Sequence, residues 1–229
     1  MAGFDGFPQG SLTFLSRLRE NNDRTWFNAH KQDYESLVRE PALAFIAAME
    51  PRLSKLSSHF LAIPKKTGGS LMRVYRDTRY THDKSPYKTN IGIQFRHQLG
   101  KDVHAPGFYV HIEPGSCFIG AGIWRPESKV LGRIRDFLTD NPAGWKRALN
   151  HRPFHRHFQL VGDSLVRPPR GYPADHELLS DLKRKDFIAC KNFDEREITS
   201  PDFAVMVGED FAKTTPFMRY LCAAVGVPY

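Results

Sequence analysis

The sequence lacks the features that would assign it to a membrane or to a secreted protein. No apolar run approaches the roughly 18 residues that a membrane-spanning helix requires. Residues 1–10 contain neither the basic segment nor the apolar segment of a secretory signal. The three cysteines, Cys117, Cys190 and Cys222, are too far apart for a disulfide framework or for a CxxC metal pair. We therefore expect a soluble, cytoplasmic protein with free thiols and no membrane partner.

The sequence also lacks the short motifs that identify common cofactor and nucleophile sites. It has no GxGxxG fingerprint, no P-loop, no HExxH and no GxSxG. Three histidines lie close together at His151, His155 and His157, but two arginines between them would repel a cation, and a metal ligand must be deprotonated. We therefore predict no metal site and no cofactor.

The composition is that of a folded domain with a substantial core. Hydrophobic residues make up 41% of the 229 residues, and 17 Phe, 8 Tyr and 3 Trp supply large buried surfaces. Charged residues make up 25%, an ordinary value that excludes intrinsic disorder when it is combined with this apolar content. Neither an internal repeat nor a low-complexity linker divides the chain, so we expect one domain over residues 1–229.

The hydrophobic pattern indicates an α+β fold. Helical periodicity dominates the first quarter, where Ser11 and Asp23 are expected to cap helices and Pro41 suits a first helical turn. Strands are predicted at 71–75, 90–97, 107–113, 116–121 and 187–193, with the turn dipeptide Pro114-Gly115 joining a hairpin. Further helices are predicted at 126–138, 141–149, 174–184, 201–211 and 215–225, and a loop over the intervening 150–173. The prediction is a helical N-terminal part, a central, mostly antiparallel sheet, and flanking and C-terminal helices.

Positive charge is concentrated in one segment of the chain. The net charge is +8, and residues 65–88 alone contain seven Lys or Arg side chains against two Asp. Clustered basic side chains raise the local concentration of anions, so this segment favours an anionic partner. The charges alternate with Tyr, Pro and Thr, without a block of five like charges, which is more typical of a shaped pocket than of a basic arm.

The candidate ligand-binding residues in this segment are Arg73, Arg76, Arg79, Lys84, Tyr87 and Lys88. Arginine presents a planar fork of donors that matches phosphate or carboxylate oxygens. One interpretation is an internal network in which Asp77 and Asp83 neutralise the arginines and shape a long connection. The other, which the excess of cations favours, is a site for an external anion.

The segment RDTRYTHDKSPYKT at 76–89 resembles the signature of the domain of unknown function 2461 family, a family of conserved hypothetical proteins. The stretches NNDRTWF at 21–27, FYVHIEPG at 108–115 and GAGIWRP at 120–126 extend the resemblance, in the same order, over nearly the whole chain. The resemblance implies a single compact domain and importance for residues 73–89. It implies no activity.

Two further groups of residues are candidates for chemistry. Alternation in the 107–113 strand would place Tyr109, His111 and Glu113 on one face, where His111 with Glu113 or with Asp83 is a candidate acid–base pair. A polar patch without a catalytic role explains the same residues. Trp124 and Arg125 follow a glycine-rich stretch and would stack on a planar ligand, on each other, or in the core.

Three functions are compatible with this sequence. The first is binding, extending to turnover, of a phosphate- or carboxylate-bearing small molecule at residues 73–89. The second is a nucleic-acid-associated module in which the same cations contact backbone phosphates. The third is a structural or interaction domain without a ligand. The sequence decides neither whether the protein is an enzyme nor what its oligomeric state is.

Overall fold

A computed structural model describes residues 3–100 and 105–229. Its centre is a six-stranded sheet in the order β1-β2-β3-β4-β6-β5, and every neighbouring pair in this sheet is antiparallel. The strands are β1 (Phe60–Leu61), β2 (Ile91–His97), β3 (Gly107–Glu113), β4 (Ser116–Ile123), β5 (Gln159–Val161) and β6 (Phe187–Asn192). The predicted hairpin is confirmed, with Glu113 paired to Ser116 across the Pro114-Gly115 turn.

Helices precede, interrupt and follow the sheet, which confirms the predicted α+β class. The N-terminal helices are α1 (Gly10–Glu20), α2 (Arg24–Ala29), α3 (Lys31–Tyr34), a π-helical segment (Glu35–Arg39) and α4 (Glu40–Leu56). The later helices are α5 (Ser128–Asp140), α6 (Pro142–Leu149), α7 (Arg152–His157), α8 (Leu179–Leu182), a 3₁₀ segment (Glu195–Thr199), α9 (Phe203–Lys213) and α10 (Thr215–Val225).

The two faces of the sheet differ sharply in composition. Because successive side chains in a strand point to opposite faces, β3 buries Phe108, Val110 and Ile112 on the face that the helices cover. On this core face, Phe211 of α9 packs against Phe95 and Phe108, with ring centroids 6.2 and 4.6 Å apart. The opposite face, here called the open face, presents residues that are largely half-buried or exposed, and many of them are polar or glycine.

The N-terminal helices follow the sequence signals with one exception, at Ser11. Asp23 caps α2 as predicted, since its carboxylate accepts the Trp26 N–H at 2.9 Å. Ser11 does not cap α1 and instead donates from within it to the Leu37 carbonyl at 2.6 Å. Pro51 lies inside α4, which continues to Leu56, and the Arg52 guanidinium donates to the carbonyl of Ala48 in the preceding turn at 2.6 Å.

Three local predictions differ from the structure. Residues 71–75 form isolated bridges, because Leu71 pairs with Ile93 whereas Tyr75 pairs with Tyr87 in a separate hairpin. The helix predicted over 174–184 is limited to α8, since the polar residues before it have no apolar face to bury. The loop predicted over 150–173 contains α7 and β5.

Candidate functional site

Residues 73–89 form a hairpin, here called the basic hairpin, whose base is fixed to the N-terminal helices. The Lys88 N–H donates to the Val74 carbonyl at 2.7 Å, and the Arg76 N–H donates to the Pro86 carbonyl at 2.9 Å. The Tyr87 ring stacks on Phe27 of α2 with centroids 4.0 Å apart and is only 3% exposed. The predicted ligand residue Tyr87 therefore contributes mainly to packing.

The side chain of Asn22 completes this anchorage. Its amide Nδ2 donates to the Tyr87 carbonyl, and its Oδ1 accepts the Tyr87 N–H, both at 3.0 Å. Both backbone groups of Tyr87 are thus satisfied by one side chain 65 positions earlier in the chain. The base of the hairpin is consequently held by α2 and the residues before it as well as by its own backbone pairing.

Two ion pairs occupy the tip of the basic hairpin. The Arg79 guanidinium binds Asp77 through two hydrogen bonds, with Nε to Oδ1 at 2.9 Å and Nη2 to Oδ2 at 2.7 Å. The Arg76 guanidinium binds Asp83. Lys84 Nζ donates to the Thr78 carbonyl at 2.9 Å. The internal network considered from the sequence therefore exists for Arg76 and Arg79.

These contacts determine the protonation of the tip carboxylates. Hydrogen bonds from Arg79 hold the pKa of Asp77 well below its usual range. Hydrogen bonds from Arg76 and from Ser85 lower the pKa of Asp83 in the same way. Asp83 also accepts the Ser85 N–H at 2.9 Å and the Ser85 hydroxyl at 2.6 Å. A carboxylate with these partners stays ionised near neutral pH, which argues against Asp83 as a proton donor.

Two cations at the base of the hairpin have no such neutralisation. Within residues 3–100 and 105–229, neither Arg73 nor Lys88 forms an ion pair. Burial lowers the pKa of Lys88, and the neighbouring charge of Arg73 lowers it further. A half-buried ammonium without a counter-charge is destabilising, so an anion at this position would relieve an unfavourable term.

A cleft of about 360 Å³ lies between α2 and the basic hairpin. Its lining consists of Arg24, Asn28, Tyr75, Arg76, Thr78, Pro86 and Tyr87. This lining, all of it within the described residues, contains two guanidinium groups, one amide and several hydroxyls but no carboxylate. The cleft can therefore donate many hydrogen bonds to a ligand, and its charged groups are all positive.

A second group of polar residues forms a hydrogen-bonded chain on the open face. His111 Nε2 lies 3.1 Å from Glu113 Oε2, and His111 Nδ1 lies 3.0 Å from the Tyr109 hydroxyl. Because an ionised carboxylate only accepts, Nε2 carries the proton and Nδ1 is left to accept from the phenol. The alternation predicted for Tyr109, His111 and Glu113 thus brings all three together in one chain, here called the relay.

Neighbouring residues fix the position of the relay. The Thr89 hydroxyl donates to Glu113 Oε1 at 2.7 Å, which joins the relay to the end of the basic hairpin. Phe118 on β4 stacks on the His111 ring at 4.7 Å with an interplanar angle of 13°. Burial raises the pKa of Tyr109 to about 12, against a hydrogen bond from Asn90 that favours its phenolate. The phenol is therefore protonated near neutral pH.

Trp124 and Arg125 follow β4 at the end opposite Glu113. The Glu113–Ser116 and Gly107–Gly122 pairs are separated by roughly 20 Å at 3.3 Å per residue, and Tyr109, opposite Gly120, lies between them. The Arg125 guanidinium lies 4.9 Å from the centre of the Trp124 ring, and Trp124 is 59% exposed. The two predicted stacking residues thus contact each other, away from the basic hairpin.

Four residues that build this region were not among the predicted site residues. Asn22 binds the backbone of Tyr87, and Arg24 lines the cleft. Thr89 donates to Glu113, and the Asn90 amide lies close to His111. Asn22 and Arg24 belong to the NNDRTWF stretch that supports the family resemblance. Thr89 and Asn90 directly follow Lys88 in the sequence. Their position next to a predicted ligand residue could have identified them as candidates.

The fold and site together define a two-layer α+β protein whose polar residues gather at one end of the open face and at the adjoining hairpin. The model of the family described as "Conserved hypothetical protein (DUF2461)" matches residues 10–220, and the chain belongs to that family. Comparisons with curated proteins and with solved structures gave no match. In the described part of the chain, no helix is both long and apolar enough to cross a membrane.

Proposed function

We propose that the protein binds a phosphate- or carboxylate-bearing small molecule at a basic site around residues 73–89. The observation that carries the proposal is the cleft beside α2, whose lining among the described residues includes Arg24 and Arg76 and no carboxylate. Its volume of about 360 Å³ falls in the range of small-ligand sites.

The unpaired cations at the hairpin base, Arg73 and Lys88, are not part of the cleft lining but favour an anion at the same hairpin. Lys88 is half-buried and its pKa is lowered by burial and by Arg73, so an anion there would gain two charge-assisted hydrogen-bond partners. Arg76 and Arg79 already bind Asp83 and Asp77. They would therefore contribute less than Arg24, Arg73 and Lys88 to affinity.

A thermal-shift experiment with inorganic phosphate, a phosphate monoester and a dicarboxylate tests the proposal at constant ionic strength. A ligand at 100 times its Kd stabilises the native state by roughly 2.7 kcal/mol. Arg24→Gln and Lys88→Met should each reduce this stabilisation. Arg196→Gln is the control for the loss of one positive charge, because Arg196 is exposed on the 3₁₀ segment and does not line the cleft. Stabilisation that all three variants retain would locate the anion elsewhere, and no stabilisation of the wild type would refute the proposal.

A nucleic-acid-associated function is the second candidate. An arginine lies over each of two exposed aromatic rings. The Arg79 guanidinium is 5.6 Å from the ring centre of Tyr80, and that of Arg125 is 4.9 Å from the ring centre of Trp124. Tyr80 is 91% exposed, and such rings stack on bases without sequence preference. Binding of a short single-stranded oligonucleotide that weakens steeply with salt, and weakens again in Tyr80→Ala, would favour this candidate over a small anion.

A further inference from the structure

The relay has the arrangement of a nucleophile, a general base and an orienting carboxylate. The Tyr109 hydroxyl donates to His111 Nδ1 at 3.0 Å, and the opposite ring nitrogen donates to Glu113 at 3.1 Å. Triads of this kind occur on unrelated folds and are recognised by geometry and role rather than by sequence position. Here all three members come from one strand, at alternate positions.

The histidine at the centre of the relay is held from several sides. Phe118 stacks on its ring, Glu113 is fixed in turn by the Thr89 hydroxyl, and the Asn90 amide lies 3.4 Å from Nδ1. The His111 side chain is 15% exposed and that of Glu113 is 28% exposed. The base is thus oriented by packing and by hydrogen bonds without being sealed from solvent.

Two glycines border the Tyr109 side chain on the neighbouring strands. A Cβ at Gly92 would lie 2.9 Å from the Tyr109 hydroxyl oxygen and 2.9 Å from Met72 Sδ, so only glycine leaves room for both atoms. Gly120 is directly opposite Tyr109 on β4, where a Cβ would be in ordinary contact with Cys190 Sγ at 3.7 Å. Tyr109 itself is half-buried, so its side chain keeps some contact with solvent.

We propose that Tyr109 is a nucleophile, with His111 as its general base and Glu113 as the group that orients and stabilises the imidazolium. Its substrate class, a phosphate ester, rests on the anion-binding function proposed above, because Thr89 links the relay to the hairpin that begins at Arg73 and includes Lys88. Tyr109 Oη attacks phosphorus while its proton passes to His111 Nδ1. The bond from phosphorus to the leaving oxygen breaks on the side opposite the phenol, and that oxygen takes a proton from water. A water molecule then attacks phosphorus from that side and gives its proton to solvent, while His111 returns its proton to Tyr109 Oη as the oxygen–phosphorus bond breaks. A monoester thus yields inorganic phosphate, a diester yields a phosphomonoester, and the phenol is restored.

The experiment measures the reactivity of each tyrosine toward a neutral arylsulfonyl fluoride, with the labelled residues identified by peptide mapping. In this reaction the Oη–S bond forms, fluoride leaves, and His111 passes the phenolic proton to water. Tyr80, which is 91% exposed, is the internal control for a phenol without a base. We expect Tyr109 to be labelled at least about tenfold faster than Tyr80, even though it is more buried, because a positioned general base accelerates such steps by 10²–10⁴.

Two variants make the test specific. His111→Ala should slow labelling of Tyr109 about 100-fold and leave Tyr80 unchanged. Glu113→Gln preserves the size of the side chain and should slow Tyr109 about tenfold, which keeps the test valid if His111→Ala does not fold. Slower labelling of Tyr109 than of Tyr80 in the wild type, or equal labelling of Tyr109 in Glu113→Gln, overturns the proposal.

The probe is neutral and needs no bound anion, so this result is separate from the phosphate-induced thermal shift. Loss of the labelling difference with retained phosphate stabilisation would refute the nucleophile alone. The converse result would refute phosphate binding, and with it the phosphate-ester substrate class, while leaving the reactive tyrosine in place.

Discussion

The two faces of the central sheet carry opposite kinds of residue on the same strands. On β3, Phe108 is 1% exposed beneath the helices, whereas its neighbour Tyr109 points to the open face and donates to His111. Strand alternation thus separates the residues that stabilise the fold from those available for chemistry. The difference implies that substitutions one position apart should affect stability very differently.

The largest effect should come from adjacent substitutions on the two faces. Phe108 lies 4.8 Å from the Phe60 ring centre and 4.6 Å from that of Phe211. Phe108→Ala would leave a cavity there and should lower the free energy of unfolding by about 3–5 kcal/mol. Tyr109→Phe removes one hydrogen bond at a half-buried site and should cost at most about 1 kcal/mol. Urea unfolding measures both, and similar losses would contradict the division between the faces.

The next effect concerns the anchor of the basic hairpin. Asn22→Ala leaves the N–H and carbonyl of Tyr87 without their partners, which should cost about 1–3 kcal/mol. Hydrogen exchange at residues 74–88 should accelerate while exchange in β3 stays slow. Asn28→Ala is the matched control, since Asn28 lies on α2 and lines the cleft but, among the described residues, has no side-chain hydrogen bond to the hairpin. Unchanged exchange in Asn22→Ala would show that backbone pairing alone holds the base.

A smaller effect, on the pH dependence of stability, is expected from a buried histidine on the core face. His97 is 2% exposed, accepts the Leu99 N–H at Nδ1 (3.2 Å), and its Nε2 lies 2.9 Å from the Pro228 carbonyl. Burial lowers its pKa below 6.5, an effect that the neighbouring His59 reinforces and the Pro228 hydrogen bond opposes. Between the folded pKa of His97 and 6.5, the unfolded chain therefore binds more protons than the folded protein. The contribution of neutral His97 to the free energy of unfolding is complete above pH 6.5 and is lost as pH falls through this window. His97→Gln should flatten the curve of stability against pH, and an unchanged slope would assign it to other groups.

The smallest effect is a gain in stability. Lys88→Met removes a half-buried ammonium whose pKa burial and Arg73 lower, so the ligand-free protein should become more stable, by less than about 1 kcal/mol. Met keeps the length of the apolar stem. Chemical denaturation at low phosphate concentration measures the change. A clear loss of stability would mean that Lys88 has a structural role rather than a ligand-binding one.

The sequence predicted those parts of the fold that depend on local pattern. Alternation predicted β2, β3 and β4, and the Pro114-Gly115 turn predicted the hairpin between β3 and β4. The Asn141-Pro142 dipeptide predicted the start of α6. It failed where long-range partners decide the structure. Residues 71–75 look like one strand, but their partners change from β2 to the far side of the hairpin. The three residues of β5 gain their structure only by pairing with β6.

The candidate site was predictable to a similar extent. The spacing of Tyr109, His111 and Glu113 is sufficient to place them on one face, because a strand repeats every two residues. The ion pairs at Asp77 and Asp83 were one of two alternatives, and charge counting alone does not distinguish an internal partner from an external one. The contacts of Asn22 with Tyr87 and of Arg24 with the cleft join distant parts of the chain, and local patterns do not report such contacts.

The clamp of Asn22 on Tyr87 also bears on how the hairpin can vary. It fixes Tyr87 at the base, where residues 74–76 and 86–88 are also paired through their backbones. The ion pairs of the tip, between Asp77 and Arg79 and between Arg76 and Asp83, lie within the hairpin itself. A change of length or charge that is confined to the tip would therefore leave the contacts of the base in place, which makes the tip the natural position for a graft.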